Sequence, residues 1–142
     1  MKLRQDICRI RENHLIGSMR YLLLLIFFIP SLLSAQELER HVVHKHKNGK
    51  PKVVVYVPAG EKHRVKEEVY FPTGHLDYVG HYKNGVEHGK WTYYWENGKI
   101  KSEETYVRGL EEGIMWDYDQ TGKKIIEYEY KKGVLIRETK LN

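Results

Sequence analysis

From residue 76 onward, apolar and polar side chains alternate with period two in blocks that begin two residues after a glycine. After Gly74 one row reads Leu76, Tyr78, Gly80 and Tyr82; after Gly98 it reads Ile100, Ser102, Glu104 and Tyr106; after Gly122, Lys124, Ile126, Tyr128 and Tyr130. The intervening positions, such as Asp77, His81, Lys101, Glu103, Glu127 and Glu129, are mostly polar. One apolar and one wet face is what a half-buried antiparallel strand requires. Glu104 and Lys124 interrupt the apolar row, and Ile125 interrupts the polar one. A second strand type, denser in aromatics, runs through residues 91–95 and 115–119. Nowhere in this region is there a sustained helical period.

The blocks repeat. Gly74, Gly98 and Gly122 are 24 residues apart, and Gly85, Gly109 and Gly133 follow each of them by 11. Tyr70, Tyr94 and Tyr118 keep the same beat, as do Tyr82, Tyr106 and Tyr130. A period of this length marks a repeat architecture in which each unit packs on its neighbours. Each glycine-to-glycine step is about one strand plus one tight turn. Asn48-Gly49, Asn84-Gly85 and Asn97-Gly98 predict two-residue hairpins in which both residues take φ > 0. Thr73-Gly74, Arg108-Gly109, Thr121-Gly122 and Lys132-Gly133 predict weaker, bulged or longer turns. The fold expected is all-β: an elongated antiparallel meander of stacked β-hairpins. Upstream, residues 37–57 read as a lead-in strand, a turn and an apolar strand. The step from Gly60 to Gly74 is one residue longer than later ones, which predicts an insertion or bulge there.

The stretch GKWTYYWENGKIKSEETYVRGLEEG resembles the MORN-repeat variant. Gly89-Lys90-Trp91, Tyr93-Tyr94 and Asn97-Gly98-Lys99 carry the resemblance most closely; Tyr118 and Thr121-Gly122-Lys123 repeat it loosely, and Asn48-Gly49-Lys50 resembles the opening of an earlier unit. The resemblance spans residues 47–134 and implies architecture more than activity. Such repeats occur in proteins of many kinds, some labelled antitoxin components, so function inferred from it rests on analogy between folds.

The amino end has a different character. Arg20, the apolar run from Tyr21 to Ile29, Pro30, and small residues up to Ala35 form the pattern of a secretory signal peptide over residues 19–35. The apolar run is shorter than the ~20 residues a spanning helix needs; an uncleaved anchor is the alternative. Residues 1–18 then read as an over-long start, with Met19 the true one, or as an extended n-region. The mature domain expected is residues 36–142, exported to a periplasmic, outer-surface or secreted location. Cys8 is the only cysteine and precedes the cleavage point, so that domain has no disulfide with which to stabilise itself.

Charge narrows the partners. Residues 1–35 hold five of the 24 Lys+Arg and two of the 19 Asp+Glu, which leaves 19 against 17, or +2, for the domain. With acidic and basic residues interleaved there is no basic stripe for nucleic acid. A serine hydrolase is excluded in practice: the domain's one serine, Ser102, lacks a nucleophile elbow. No phosphate loop or dinucleotide fingerprint is present, so no cofactor is expected.

Candidate chemistry remains thin. His41, His44 and His46 could place two imidazoles on one ion, or be solvated residues of an entry strand. Asp117 and Asp119 are a same-face carboxylate pair, a spacing many unrelated strands share. The recurring tyrosines suit stacking between units. Aromatics that break the repeat are better binding candidates: Trp95, matched by Phe71 and Asp119, and Trp116, matched by Thr92. The expectation is an exported, non-enzymatic repeat module binding another protein through Trp95, Trp116 and neighbouring Tyr93. The alternative is a cell-envelope carbohydrate-binding module whose exposed rings stack on sugars. An antitoxin role fits poorly, since an exported chain does not meet a cytosolic toxin.

Overall fold

The computed structural model describes residues 37–142. The expected signal peptide, both candidate starts and Cys8 lie outside the described residues. Those residues form eleven strands and no helix: β1 (Leu38–Lys45), β2 (Pro51–Pro58), β3 (Lys66–Tyr70), β4 (Leu76–Lys83), β5 (Val86–Glu87), β6 (Gly89–Tyr94), β7 (Ile100–Val107), β8 (Leu110–Glu111), β9 (Gly113–Tyr118), β10 (Lys124–Lys131) and β11 (Val134–Lys140). They make one antiparallel sheet in the order β1-β2-β3-β4-β6-β7-β9-β10-β11, with the short β5 and β8 closing hairpins on β4 and β7. The sheet is an open meander with β1 and β11 at its edges, as the alternating pattern requires.

Turns of two kinds stand at opposite ends of the strands, and repeat position decides which kind occurs. At residues 46–49, 71–74, 95–98 and 119–122 the glycine N–H donates to the carbonyl of the first residue, for example Gly98 to Trp95 at 2.8 Å. Only the glycine there has φ > 0, the signature of a type I turn followed by a G1 bulge. Asn84-Gly85, Arg108-Gly109 and Lys132-Gly133 instead have φ > 0 at both residues (53° and 79°, 56° and 78°, 51° and 78°), which is type I′. This corrects the sequence reading twice. Asn48 and Asn97 are not left-handed, and Arg108 and Lys132, expected in looser turns, are. The reason is register: Lys83↔Val86, Val107↔Leu110 and Lys131↔Val134 leave two residues to turn on. Tyr94↔Ile100 and Tyr118↔Lys124 leave five at the other end.

A bulge recurs with the same period. Pairing slips between Val69 and Tyr70, between Tyr93 and Tyr94, and between Lys124 and Ile126, leaving Asp77, Lys101 and Ile125 as the extra residues. Past a bulge the alternation is re-set. Lys124 therefore does not interrupt the apolar row at all; it lies on the other side of the sheet, 3.4 Å from the centre of the Trp116 ring.

The core is one layer deep. Val55, Val69, Tyr82, Trp91 and Met115 are buried on one face, and Val54 on the other. With no second sheet or helix to cover them among the described residues, large rings bury each other. Gly80 makes this possible beside Trp91, because its missing side chain is where the indole sits.

Candidate binding surface

The register places Tyr78, Tyr93, Ser102 and Asp117 in line across four strands, and Glu67, Gly80, Trp91, Glu104, Met115 and Tyr128 on the same face. Trp91 is the hub. Tyr78 stacks on it at 5.6 Å and 20°, Tyr82 meets it edge-on at 5.3 Å, and Tyr106 lies at 5.6 Å. Offset and edge-on contacts at these separations are the preferred aromatic geometries. Around the hub Tyr82 is buried, while Tyr78, Tyr93 and Tyr106 are half-buried.

Carboxylates are threaded between the rings. Tyr78 donates to Glu67 at 2.7 Å, Tyr106 to Glu104 at 2.9 Å, and Tyr128 to Asp117 at 3.1 Å. Glu67 is buried and balanced by Arg64 at 2.7 Å, whose guanidinium lies 4.2 Å from the centre of the Tyr82 ring. Among the described residues Glu104 has no such cation. Burial pushes its carboxyl above the usual range, Asp117 and Glu111 push the same way, and hydrogen bonds from Tyr106 and Ser102 only partly oppose them. Burial raises the phenols too: Tyr93 is pushed up to about 12, with the Glu104 charge adding to the effect. Glu104, Tyr106, Glu111, Asp117, Tyr128 and Tyr130 line a shallow depression of about 240 Å³, which Met115 and Trp116 also border.

The residues singled out in the sequence do not all have their side chains on this face. Tyr93 does, packed 5.4 Å from Tyr78. Trp116 pairs with Glu103 and Glu127 on the opposite face, under Lys124. Trp95 opens a turn, where its indole N–H donates to the Tyr118 carbonyl at 3.2 Å and the re-aimed Lys101 lies 5.0 Å from its ring. With Phe71, Asp77, Tyr94, Asn97 and Gln120 it borders a depression of about 460 Å³. The sequence reading missed Glu104 as more than an irregularity. The signal available was a carboxylate in the row of Ser102 and Tyr106.

The other candidates have local partners. His46 hydrogen-bonds the Tyr70 carbonyl at 2.7 Å, and His41 stands 3.4 Å from Glu39. Among the described residues no group of three or more His, Cys, Asp or Glu gathers in a way that could hold a metal ion. Asp119 caps its own turn, accepting from Thr121 and Lys123, so it does not face Asp117 across a gap.

Links between units explain the Asn-Gly-Lys motif. Asn48 accepts from the Lys50 N–H and donates to Pro72 of the next turn; Lys50 donates to Thr73. Asn97 and Lys99 repeat this toward Gln120 and Thr121. A family model, the MORN repeat variant, matches residues 65–84 and 87–108. The two matched segments are MORN repeat variants. Each matched MORN segment holds two whole strands and the turn that joins them, β3 and β4 in the first and β6 and β7 in the second, and residues beyond 108 build a further unit with the same two turn types. No curated protein and no solved structure matches the chain.

Proposed function

We propose that this MORN-repeat protein is an exported, non-catalytic module that recognises another protein across the aromatic face of its sheet. One observation carries the reading: a single-layer sheet leaves Tyr78, Tyr93, Tyr106, Tyr128 and Tyr130 half-open on one face, with no second layer over them among the described residues. Rigid rings with a polar tip suit protein recognition, because they bring large area at little entropic cost. On this reading Tyr93 is the anchor on the face itself. Trp116 serves the opposite face and Trp95 the turn end. The test is a pull-down from envelope and culture-medium fractions, comparing the wild-type chain with Tyr93→Ala and Trp116→Ala. A partner recovered stoichiometrically and lost with Tyr93→Ala supports the aromatic face. Loss only with Trp116→Ala moves recognition to the other face.

A second reading has its own observation. The depression at Trp95 combines aromatic rings with Asp77, Asn97 and Gln120, the mixture of flat apolar and hydrogen-bonding groups that suits a sugar ring. Envelope polysaccharide that shifts tryptophan emission in the wild type but not in Trp95→His favours this carbohydrate-binding role.

A further inference from the structure

At the end of the sheet opposite Trp95, the three type I′ hairpin tips stack on one another. The Gly109 N–H donates to the Glu87 carbonyl and the Gly133 N–H to the Glu111 carbonyl, both at 2.9 Å. A side chain on either glycine would stand 3.0 Å from Val86 or 3.2 Å from Leu110, so the tips are in close contact. The stack presents two rows, each one residue per unit. Val86, Leu110 and Val134 make an apolar row that is 44%, 48% and 60% exposed. Asn84, Arg108 and Lys132 make a polar row beside it on the left-handed turn position. Along the stacked tips runs a groove of about 880 Å³, bordered by Val86, Val107, Leu110, Lys83, Arg108 and, from the third tip, Lys132.

Charge in the groove is one-sided. Its one carboxylate among the described residues, Glu112, already accepts from the Lys132 backbone N–H at 2.8 Å. Among the described residues none of Lys83, Arg108 and Lys132 forms an ion pair. The period of the rows is fixed as well. One unit is two strands, so neighbouring anchors stand roughly 9.6 Å apart at the usual ~4.8 Å strand spacing. A polyproline II chain advances ~3.1 Å per residue with three residues per turn, which returns every third side chain to one face after roughly 9.3 Å.

We propose that the stacked tips dock an acidic polyproline II segment of a partner protein, with an apolar side chain at every third position on the Val86–Leu110–Val134 row and carboxylates facing Lys83, Arg108 and Lys132. This surface is separate from the aromatic face and does not depend on it. The groove favours an extended segment over a flat surface, and the fixed tips mean that little order is lost on binding.

The probe is a synthetic peptide of four Pro-Glu-Leu repeats, titrated into the isotope-labelled full chain and followed by amide chemical shifts. Shifts are expected to concentrate at residues 83–88, 107–112 and 131–134. Affinity should fall about tenfold in Arg108→Asn/Lys132→Asn and again in Leu110→Ser. Asparagine already occupies the equivalent turn position at 84, so the double variant keeps its turns. A charge-reversed Pro-Lys-Leu peptide should not bind, and a four-residue Pro-Glu-Leu-Ser repeat should bind weakly because its anchors fall out of step. Four outcomes overturn the proposal. They are no shift at the tips, equal binding of the four-residue repeat, tip shifts with phosphatidylcholine–phosphatidylglycerol vesicles but not with the peptide, and tip shifts that grow with protein concentration alone. The third would make the tips a membrane surface and the fourth a contact between two copies of the chain.

Discussion

A methyl group on Gly80 would stand 2.7 Å from three carbons of the Trp91 indole. Real side chains do not approach so closely, and the obstacle is a ring held on other sides by Tyr78, Tyr82 and Tyr106. Gly80 has no left-handed backbone to protect. Alanine there would ordinarily stabilise the chain by a few tenths of a kcal/mol, through the unfolded state. Overpacking reverses the sign: Gly80→Ala should cost about 1–3 kcal/mol, read as a lower urea midpoint. Trp91→Met installs the residue found one unit later, at Met115. In that background the cost of Gly80→Ala should shrink, and strictly additive costs would show that the two residues are not coupled.

The two Asn-Gly pairs at 84 and 97 look alike in sequence and should respond differently. Asn84 is left-handed, with φ of 53°, so Asn84→Gly should be neutral or slightly favourable, whereas Asn84→Ala should cost about 1 kcal/mol. Asn97 is not left-handed; it accepts from Lys99 and donates to Gln120 in the next unit. Both Asn97→Gly and Asn97→Ala should therefore cost about 1–2 kcal/mol, since both hydrogen bonds go. Thermal midpoints of the four variants decide it. Equal tolerance of glycine at both positions would remove the distinction.

That pair also shows where sequence reading stopped. Alternation and glycine period were enough for an antiparallel meander, because a period of two and a repeat of 24 leave few other ways to bury Tyr82, Trp91 and Met115. Turn type was not legible. It depends on how many residues the pairing leaves over, and Asn97 before a glycine looks the same whether it turns the chain or ties it to the next turn. The bulges at Asp77, Lys101 and Ile125 were hidden for a related reason. They are three chemically unlike residues at one structural position, so the re-aiming of Lys124 toward Trp116 had no sequence signature. Tyr93 and Trp116 could be named as candidates, but only the register puts them on opposite faces.

Two neighbouring glutamates give the fold opposing responses to acid. Hydrogen bonds from Lys90 and Tyr118 hold the Glu103 carboxyl below its ordinary value, more than offsetting burial. A folded pKa below the unfolded value of about 4.3 means that its contribution is complete above that value and is lost as pH falls through the folded one. Glu104, raised by burial, works the other way: its protonated form suits the fold, and the contribution is lost as pH rises through its folded pKa. Glu103→Gln should lower the urea midpoint at pH 7, with a smaller difference at pH 3. Glu104→Gln should raise it at pH 7, and a lower midpoint there would contradict the assignment. At the alkaline end, burial and the Glu68 hydrogen bond push Tyr70 up to about 12. Its contribution is complete below about 10 and is lost as pH rises through 12, so tyrosinate absorbance should lag in the folded protein and return to ordinary values in urea.

Trp95 holds a position at which the turn two units earlier has His46, with Phe71 between them, and the His46 and Trp95 rings do the same thing. His46 reaches the Tyr70 carbonyl at 2.7 Å, and Trp95 reaches the Tyr118 carbonyl at 3.2 Å. Each ties the start of one turn to the strand that precedes the next. A ring nitrogen at this position adds a bond between units that the unit starting at Phe71 does without; a six-membered apolar ring keeps the packing and drops the bond. Trp95→His should therefore retain most of the stability, whereas Trp95→Phe should lose about 1 kcal/mol, the net worth of one hydrogen bond. The comparison also separates structure from recognition. A ligand that needs the indole surface will be lost in Trp95→His while its thermal midpoint stays near wild type. If binding instead survives histidine and falls only as far as stability does in Trp95→Phe, then Trp95 is a link between units and recognition lies elsewhere on the sheet.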